Sequence, residues 1–572
     1  MYKDIYETWL NSNLLTKQEK AELNSISDNE KEIEYRFAKD LEFGTAGMRG
    51  LLGLGTNMMN LYTVRRATQG LAEYIIGEGV DACKKGVCIS YDTRLNSEVF
   101  AKATAEVLSA NGINVYLFDD VRPVPMLSFA VRELGAKAGV MITASHNPKE
   151  YNGYKVYGQD GAQMSPEDTA KVVKFISAIE SPLSNKIKLF AKKGGKIKII
   201  GKAVDKKYYK KLLKLTLADK NVLKAGKSIK LVYTPVHGSG YVPVSTILKK
   251  LGIKATMVAE QVNKDTAFST VEVPNPEVKE TLTLGIKLAD KIRADVVFGT
   301  DPDCDRLGVA VRNDKGEFIS LSGNQIGLLL LDYILCRLKE RGELPENAFV
   351  VKSFVTTSLA KAIAEDYGIE LMETPVGFKF IGEKIKKFDD TGLKKYIFGF
   401  EESCGYLRGT HARDKDAVVA SMLFAEMVCY YTCKKISICG RLSDIYDKYG
   451  YCLDRNVSVT FSGINAMKDM SAIIEKLRSE PLTKIDIYNV VAVRDYSVPV
   501  RKLIDGTEEV LDIDKNNSIY YELENGSFVC VRPSGTEPKL KIYYSIKLKD
   551  KASAEKAFVK MNSAFKTVIG ID

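Results

Sequence analysis

Four short strings in this chain hold residue types that do chemistry on charged oxygen. Thr143-Ala144-Ser145-His146-Asn147-Pro148 sets a serine beside a histidine, directly after the apolar run Ala138 to Ile142. A serine hydroxyl is a weak nucleophile alone, but as a phosphate carrier it needs only an in-line acceptor, a cation to spread charge and donors around the phosphoryl oxygens. Gly299-Thr300-Asp301-Pro302-Asp303-Cys304-Asp305-Arg306 places three carboxylates at alternate positions. They cannot share a helix face, yet a turned loop brings them onto one cation, and hard oxygen ligands suit Mg2+. An EF-hand is excluded, because Arg306 and Arg312 stand at the sixth and twelfth positions, where glycine and glutamate are needed. In Phe398-Gly399-Phe400-Glu401-Glu402-Ser403-Cys404-Gly405, Glu401 and Ser403 are two apart, spaced to grip neighbouring sugar hydroxyls, one accepting and one donating. Val531-Arg532-Pro533-Ser534-Gly535-Thr536-Glu537-Pro538-Lys539 gathers an arginine, two hydroxyls and a glycine, groups that match a phosphate. Taken singly, a Ser-His pair before Asn-Pro also suits an ordinary capped turn. Three crowded carboxylates do not suit an idle turn, since like charges without a counterion are costly.

The elements around these strings alternate between helical and strand periodicity. Residues 1 to 38 read as helical, with a capping box at Thr16-Lys17-Gln18-Glu19. Gly44-Thr45-Ala46-Gly47-Met48-Arg49-Gly50 reads as a glycine-rich loop with Arg49 as a forked anion contact. From Val64 a helix face, a strand at Val87 to Tyr91, a helix capped by Asn96, a strand at Val115 to Phe118, a helix over Pro125 to Leu134 and the strand Ala138 to Ile142 follow in turn. This is a βαβ series, hence a mainly parallel sheet with Ser145 at its carboxyl edge. The series restarts with Leu231 to Tyr233, a helix over Val242 to Leu251, Ala255 to Val258, a helix over Pro276 to Ile292 and Asp295 to Phe298. It restarts again at Gly323, with strands near Phe349 to Ser353, Ile369 to Met372 and Tyr396 to Phe400. After about residue 450, strands, a helix near Ile464 to Leu477, more strands and a helix near Ala552 to Phe565 suggest a smaller α+β domain. The expected fold is thus three similar mixed or parallel α/β sandwich domains plus a C-terminal α+β domain. Their expected bounds are 1–205, 206–322, 323–450 and 451–572.

Composition narrows the function. The 572 residues are 45% hydrophobic and 27% charged, as in a soluble globular protein. The opening Met1-Tyr2-Lys3-Asp4-Ile5 lacks an apolar signal core, and the apolar runs Ile326 to Leu331 and Ala417 to Ala425 are too short to span a bilayer, so a cytoplasmic protein with buried helices is expected. Ten cysteines lack zinc-ligand spacing and are expected to be reduced thiols. The net charge of +10 is regional: residues 181–230 hold 16 Lys and 2 Asp, leaving 67 basic and 71 acidic residues elsewhere. That stretch has no arginine and few aromatics, so it reads as a solvated face or interdomain connection rather than a nucleic-acid surface. Neither nucleic acid nor membrane is expected as a partner.

Ser145 in TASHNP, the DPDCDR loop, the FEESCG loop and the RPSGTEPK loop, in this order and spacing, resemble the α-D-phosphohexomutases, the phosphoglucomutase and phosphomannomutase superfamily. The resemblance runs from Gly44 to Lys539. Gly44 to Gly50, Tyr233 to Gly240, Thr374-Pro375-Val376-Gly377-Phe378-Lys379 and His411-Ala412-Arg413-Asp414-Lys415-Asp416 are most similar to the bacterial branch that also resembles the second animal phosphoglucomutase type and the phosphopentomutases. The resemblance implies four domains around a central cleft. It implies Ser145 as the phosphoserine, with Asp301, Asp303, Asp305 and a phosphoryl oxygen on Ser145 holding Mg2+. Arg49, His146, Lys155 and Arg306 would surround the phosphoserine, and Lys155 or Lys415 would be the general acid/base. Thr374, Gly377, Lys379, Glu401 and Ser403 would bind the sugar; Arg532, Ser534, Gly535 and Thr536 would hold the phosphate not in transfer.

The implied activity is phosphoglucomutase, through a phosphoserine enzyme and glucose 1,6-bisphosphate, which also serves as activator; phosphomannomutase and phosphopentomutase are the alternatives. A hexose phosphate is the implied partner, in a monomer or homodimer. Phe400, where glycine is common, and Gly405, where some phosphomannomutases carry histidine, depart from many mutases and leave the sugar open. A haloacid-dehalogenase-type phosphatase would use Asp301 as nucleophile, but it leaves Ser145 idle and disfavours Asp305. A non-catalytic sugar-phosphate binding paralogue is disfavoured because no key position is lost.

Overall fold

The computed structural model describes residues 2–44, 47–225, 228–462, 465–534 and 538–570. The chain forms two compact units, Met1–Leu321 with Gly382–Asp390 and Cys404–Cys433, and Ser322–Ile381 with Thr391–Ser403 and Lys434–Asp572.

The first unit begins with helices Tyr2–Asn11, Lys17–Asn24 and Glu30–Phe37. The second starts as its residues dictate: Thr16 Oγ1 accepts from Glu19 N, and Glu19 Oε2 accepts from Thr16 N. Trp9, Leu23, Phe37 and Tyr62 form their small core. The first sheet contains β1 (Phe43–Gly44), β2 (Gly47–Leu51), β3 (Val87–Tyr91), β4 (Val115–Phe118), β5 (Ala138–Ile142), β6 (Tyr151–Gly158) and β7 (Ile197–Ile200), in the order β1-β2-β6-β5-β3-β4-β7. The β5-β3-β4-β7 pairs are parallel, whereas β5-β6, β6-β2 and β2-β1 are antiparallel. The second sheet repeats this plan. Its β8 (Leu231–Thr234), β9 (Ala255–Met257), β10 (Val296–Thr300), β11 (Leu307–Arg312) and β12 (Phe318–Ser320) run in the order β12-β11-β10-β8-β9, parallel only within β10-β8-β9.

Four expectations need correction here. The first two sheets are mixed, as the mixed or parallel expectation allowed, and not mainly parallel as the βαβ series alone implied, because the strands after the serine loop and the aspartate loop turn straight back beside the ones before them. Gly44 to Gly50 is not a free loop: β1 and β2 form a hairpin, with Thr45 and Ala46 outside the described residues. The helix expected from Pro276 starts at Thr283 after a 3-10 turn at Lys279–Leu282, since Pro276 is packed against Gly308, where an added Cβ would lie 2.3 Å from the Pro276 carbonyl oxygen. The Lys-rich stretch is no mere connection, because it contains β7 and the helix Lys202–Leu213, whose Tyr208, Tyr209 and Leu212 are buried. Asn96 does precede the helix Ser97–Ala110, but at a φ of 66° and without a side-chain cap bond.

In the second unit β13 (Ala348–Ser353) lies between β14 (Glu370–Thr374) and β15 (Lys395–Glu401), parallel to both. The helix Gly323–Glu340 packs on β15 with its Ile326–Leu331 run buried, as that apolar run demands. Phe400 has a matching partner on this helix: an added Cβ at Gly327 would lie 2.1 Å from the Phe400 ring. The segment Cys404–Cys433 belongs to the first unit and holds β16 (Gly405–Arg408) and the helix Ala417–Cys433, buried from Ala417 to Tyr431. Among the described residues, no single helix is long and apolar enough to cross a membrane.

The C-terminal sheet is antiparallel throughout. It comprises β17 (Tyr451–Thr460), β18 (Lys484–Ile485), β19 (Tyr488–Asp495), β20 (Val500–Leu503), β21 (Glu508–Val510), β22 (Ile519–Leu523), β23 (Phe528–Pro533) and β24 (Lys539–Leu548). The helices Ala466–Ser479 and Lys551–Val568 bury Ile474, Leu477, Met561 and Phe565 against it. That is the α+β domain expected from the sequence. All ten cysteines are free thiols.

Candidate active site

Two hairpin connections of the first unit build the site. Residues 143–150 join β5 to β6, and residues 301–306 join β10 to β11. Both leave the carboxyl ends of parallel strands, where α/β sheets gather their chemistry. Ser145 takes a φ of 53° and Cys304 a φ of 50°, left-handed values that are strained for side-chain-bearing residues and persist only where surrounding contacts enforce them. Ser239 supplies such contacts to the second loop, its N–H and hydroxyl both donating to the Pro302 carbonyl at 2.8 Å.

Ser145 is 3% exposed, and its hydroxyl donates to Asp301 Oδ2 at 3.0 Å. Asp301 Oδ1 accepts from the N–H groups of Asp305 and Arg306, which curls the loop around it. The carboxylates of Asp301, Asp303 and Asp305 are buried, with one oxygen from each lying within 4.8 Å of the others. Lys155 Nζ donates to Asp303 Oδ2 at 2.8 Å, and Lys415 Nζ lies 3.1 Å from Asp305 Oδ2 and 3.0 Å from Asp414 Oδ1. Asp303 Oδ1 and Asp305 Oδ1 are buried without a hydrogen-bond donor. Burying bare carboxylate oxygens is costly unless a cation meets them. The donor set, all hard oxygens on one short loop, therefore fits a divalent cation.

The electrostatics point the same way. Burial and the charges of Asp303 and Asp305 push the Asp301 carboxyl well above the ordinary range. Burial and Asp303 raise Asp305 as well, whereas Lys155 holds Asp303 low against the effect of burial. A bound cation would relieve that crowding. His146 Nδ1 lies 3.3 Å from Ser145 Oγ. Burial, with the Arg306 and Arg49 cations, depresses the His146 imidazole to about 2, so the ring is neutral at physiological pH.

A cavity of about 230 Å3 opens on Ser145 and is lined by Arg49, Lys155, Gln163, Asp305, Arg306 and Lys415 among others. Arg49 Nη1 donates to Asn147 Oδ1 at 2.9 Å, and Arg306 pairs with Glu277. The structure thus gathers Ser145, His146, Lys155, Arg49, Arg306, Lys415 and the aspartate triad. His237 is elsewhere, bonded to Asn263 O and Thr270 Oγ1, and His411 is bonded to Asp416. Sequence reasoning missed Gln163 and Glu277, which reach the site only through folding, and gave no role to Asp414, which it quoted beside Lys415.

The remaining candidates lie in the second unit. Glu401, at the end of β15 and 4% exposed, accepts at Oε1 from Gly377 N–H at 2.7 Å. Gly377 has a φ of 125°, which favours glycine there. Thr374 ends β14, and Lys379 lies 4.7 Å over the Phe380 ring. Ser403 follows Glu402, whose carboxylate accepts from the hydroxyls of Ser353 and Thr356 and so ties the loop to the end of β13. Arg532 stands near the end of β23 opposite Lys541, and Ser534 N–H donates to Lys539 O at 2.7 Å. Gly535 and Thr536 lie outside the described residues.

Comparisons with known proteins agree with this architecture. Family models described as phosphoglucomutase/phosphomannomutase, alpha/beta/alpha domains I, II and III match residues 40–183, 206–316 and 322–449. A phosphoglucomutase of Staphylococcus saprophyticus is 37% identical over 529 residues, covering 92% of this chain and 94% of the relative. One from Staphylococcus haemolyticus is 36% identical over 516 residues, with 90% and 91% covered. Among solved structures, a phosphoglucomutase/phosphomannomutase family protein from Burkholderia thailandensis aligns with a TM-score of 0.67 at 18% identity, covering 92% of this chain and 97% of that one. The Paramecium phosphoprotein parafusin aligns with the same TM-score and identity, with 92% and 94% covered. Three consecutive domain matches, and relatives this similar along nearly the whole chain, place the protein in the phosphoglucomutase/phosphomannomutase family of α-D-phosphohexomutases.

Proposed function

We propose that this enzyme is a phosphoglucomutase, interconverting glucose 1-phosphate and glucose 6-phosphate through a phosphoserine at Ser145 and a glucose 1,6-bisphosphate intermediate. The observation that carries this reading is the Ser145 hydroxyl, 3.0 Å from Asp301 in a buried three-carboxylate loop, at a cavity lined by Arg49, Lys155, Arg306 and Lys415. That combination suits a covalent phosphate with its charge balanced on every side. The phosphatase alternative gives Ser145 no task.

In the first half-reaction the free hydroxyl of the sugar phosphate attacks phosphorus on Ser145. The O–P bond to Ser145 breaks as the hydroxyl proton passes to the unprotonated form of a lysine, Lys155 or Lys415, which hands a proton to the departing Ser145 oxygen and leaves a free hydroxyl. Arg49 and Arg306 are proposed to steady the phosphoryl oxygens, and neutral His146 to donate a hydrogen bond without adding charge. Asp301, Asp303 and Asp305, together with phosphorylated Ser145, would hold Mg2+, which would supply neutralisation of charge on the group in transfer. In the second half-reaction the other phosphate of the bisphosphate returns to Ser145, so one set of groups must accept the sugar in two orientations. Glu401 and Ser403 are proposed for the sugar hydroxyls, with Thr374, Gly377 and Lys379 beside them. Arg532, Ser534, Gly535 and Thr536 are proposed for the phosphate that is held, and the domain bounds given from the sequence remain our working division.

A panel of glucose, mannose and ribose 1-phosphates with purified enzyme tests the sugar assignment. Glucose 1-phosphate should give the highest kcat/KM and should require glucose 1,6-bisphosphate for full rate. A higher kcat/KM for mannose or ribose 1-phosphate would move the enzyme to another branch of the family.

A further inference from the structure

Beyond the cavity wall, one buried arginine holds the backbone that carries Ser145. Arg94 follows β3 by three residues and is 2% exposed. Its Nη2 donates to the carbonyl oxygens of Ser145 at 2.6 Å and Asn147 at 2.5 Å, and its Nη1 to those of Pro148 at 2.8 Å and Tyr151 at 3.0 Å. One planar fork thus fastens three carbonyls of the β5–β6 connection and that of the first residue of β6. Its Nε lies 3.4 Å from Asp92 Oδ2, with both side chains fully buried. Asp92 is itself fixed, Oδ1 accepting from Arg94 N–H and the Ser97 hydroxyl, and Oδ2 from the Thr143 hydroxyl.

Thr143 Oγ1 in turn accepts from Ser145 N–H at 2.8 Å. The two backbone polar groups of Ser145 therefore lead to the same ion pair, its carbonyl directly and its N–H through Thr143. The Phe268 ring closes the stack, with the Arg94 guanidinium carbon 5.2 Å from its centroid. This is the surrounding that holds Ser145 at a φ of 53°. A left-handed serine released from these bonds relaxes toward ordinary backbone angles and turns its hydroxyl away from Asp301.

We infer that Arg94 is a positioning residue for phosphoryl transfer, acting through the backbone of residues 145–151 to aim Ser145 Oγ; this rests on Ser145 being the phosphate carrier. Arg94→Lys is the informative substitution. It keeps the charge beside Asp92, but an ammonium with three donors on a single nitrogen cannot reproduce a planar fork across four carbonyls.

The experiment follows phosphate transfer from glucose 1,6-bisphosphate to Ser145 by intact-protein mass spectrometry in dephosphorylated wild-type and Arg94→Lys enzymes, alongside steady-state kcat and KM. A misaimed nucleophile should slow transfer and kcat together by about 10- to 100-fold, with KM within about threefold of wild type. Should Arg94→Lys fail to fold, Asp92→Asn serves instead: it keeps shape but weakens the anchor, and it should show the same kcat-selective loss. Wild type that accepts no phosphate from the bisphosphate would overturn the mutase reading itself. Wild type that accepts it, with Arg94→Lys, or Asp92→Asn in its place, transferring at the wild-type rate or losing only KM, would overturn the role of Arg94 alone.

Discussion

Gly405→Ala should disable the enzyme through a lysine rather than through the fold. A Cβ at position 405 would sit 2.3 Å from Lys415 Cδ and 2.8 Å from Cγ. Carbon atoms rest at roughly 3.5 to 4.0 Å, so the lysine stem must give way by about 1 Å. Its ammonium now lies 3.1 Å from Asp305 and 3.0 Å from Asp414, and such a shift takes at least one of these contacts out of hydrogen-bond range. A hydrogen bond to a charged group contributes about 1.5 to 3 kcal/mol, which corresponds to roughly 10- to 150-fold in rate if the contact aims the lysine in the transition state. The stem is flexible, so the expected change in Tm is only a few degrees. The assay is a double-mutant cycle on kcat with Gly405→Ala, Lys415→Met and the pair. If glycine acts by making room for Lys415, the pair is no slower than Lys415→Met alone. Full activity in Gly405→Ala, or losses that multiply in the pair, would refute the reasoning.

Asp303→Asn should abolish most activity with the fold intact, and EDTA should do the same to wild type; full activity in either case would remove the metal from the account. Arg532→Ala should lower kcat/KM by about 10- to 150-fold, from the loss of a charge-assisted contact of roughly 1.5 to 3 kcal/mol, and should raise the bisphosphate needed to keep Ser145 phosphorylated. Unchanged KM and bisphosphate demand would make that loop a structural turn. Glu373 offers a pH test: although burial pushes its carboxyl up, Lys352 and Arg494 hold it at about 2 against an ordinary 4.5. Its contribution is then complete above about 4.5 and fades as pH falls toward 2, on the order of 2 kcal/mol after allowing for partial exposure. Glu373→Gln should lower Tm at pH 7 and flatten the fall in Tm over that acid range; parallel curves for the two proteins would count against the ion pairs.

The elements and the chemical loops were legible because each rests on local pattern. Val87–Tyr91, Val115–Phe118 and Ala138–Ile142 are strands at the expected bounds, and three aspartates at alternate positions point to a cation once a turned loop carries them. Strand direction was not legible. Tyr151–Gly158 and Leu307–Arg312 run antiparallel to their predecessors, and a buried strand reads alike whichever way it runs. Nor could spacing place Arg94 under Ser145, Glu277 on Arg306 or Lys415 on Asp305, since those contacts join segments that only the folded sheets bring together. Gly327 opposite Phe400 is a similar case, for the ring that departs from a common family glycine is housed by a glycine on a neighbouring helix.

The central claim is that Ser145 is a phosphate carrier, and its phosphorylation state tests that most directly. Peptide mass spectrometry of the isolated enzyme should find one phosphate, located on Ser145. After the enzyme is emptied by turnover, added glucose 1,6-bisphosphate should restore that phosphate in wild type and fail to do so in Ser145→Ala. An unmodified Ser145 that the bisphosphate cannot load would contradict the account.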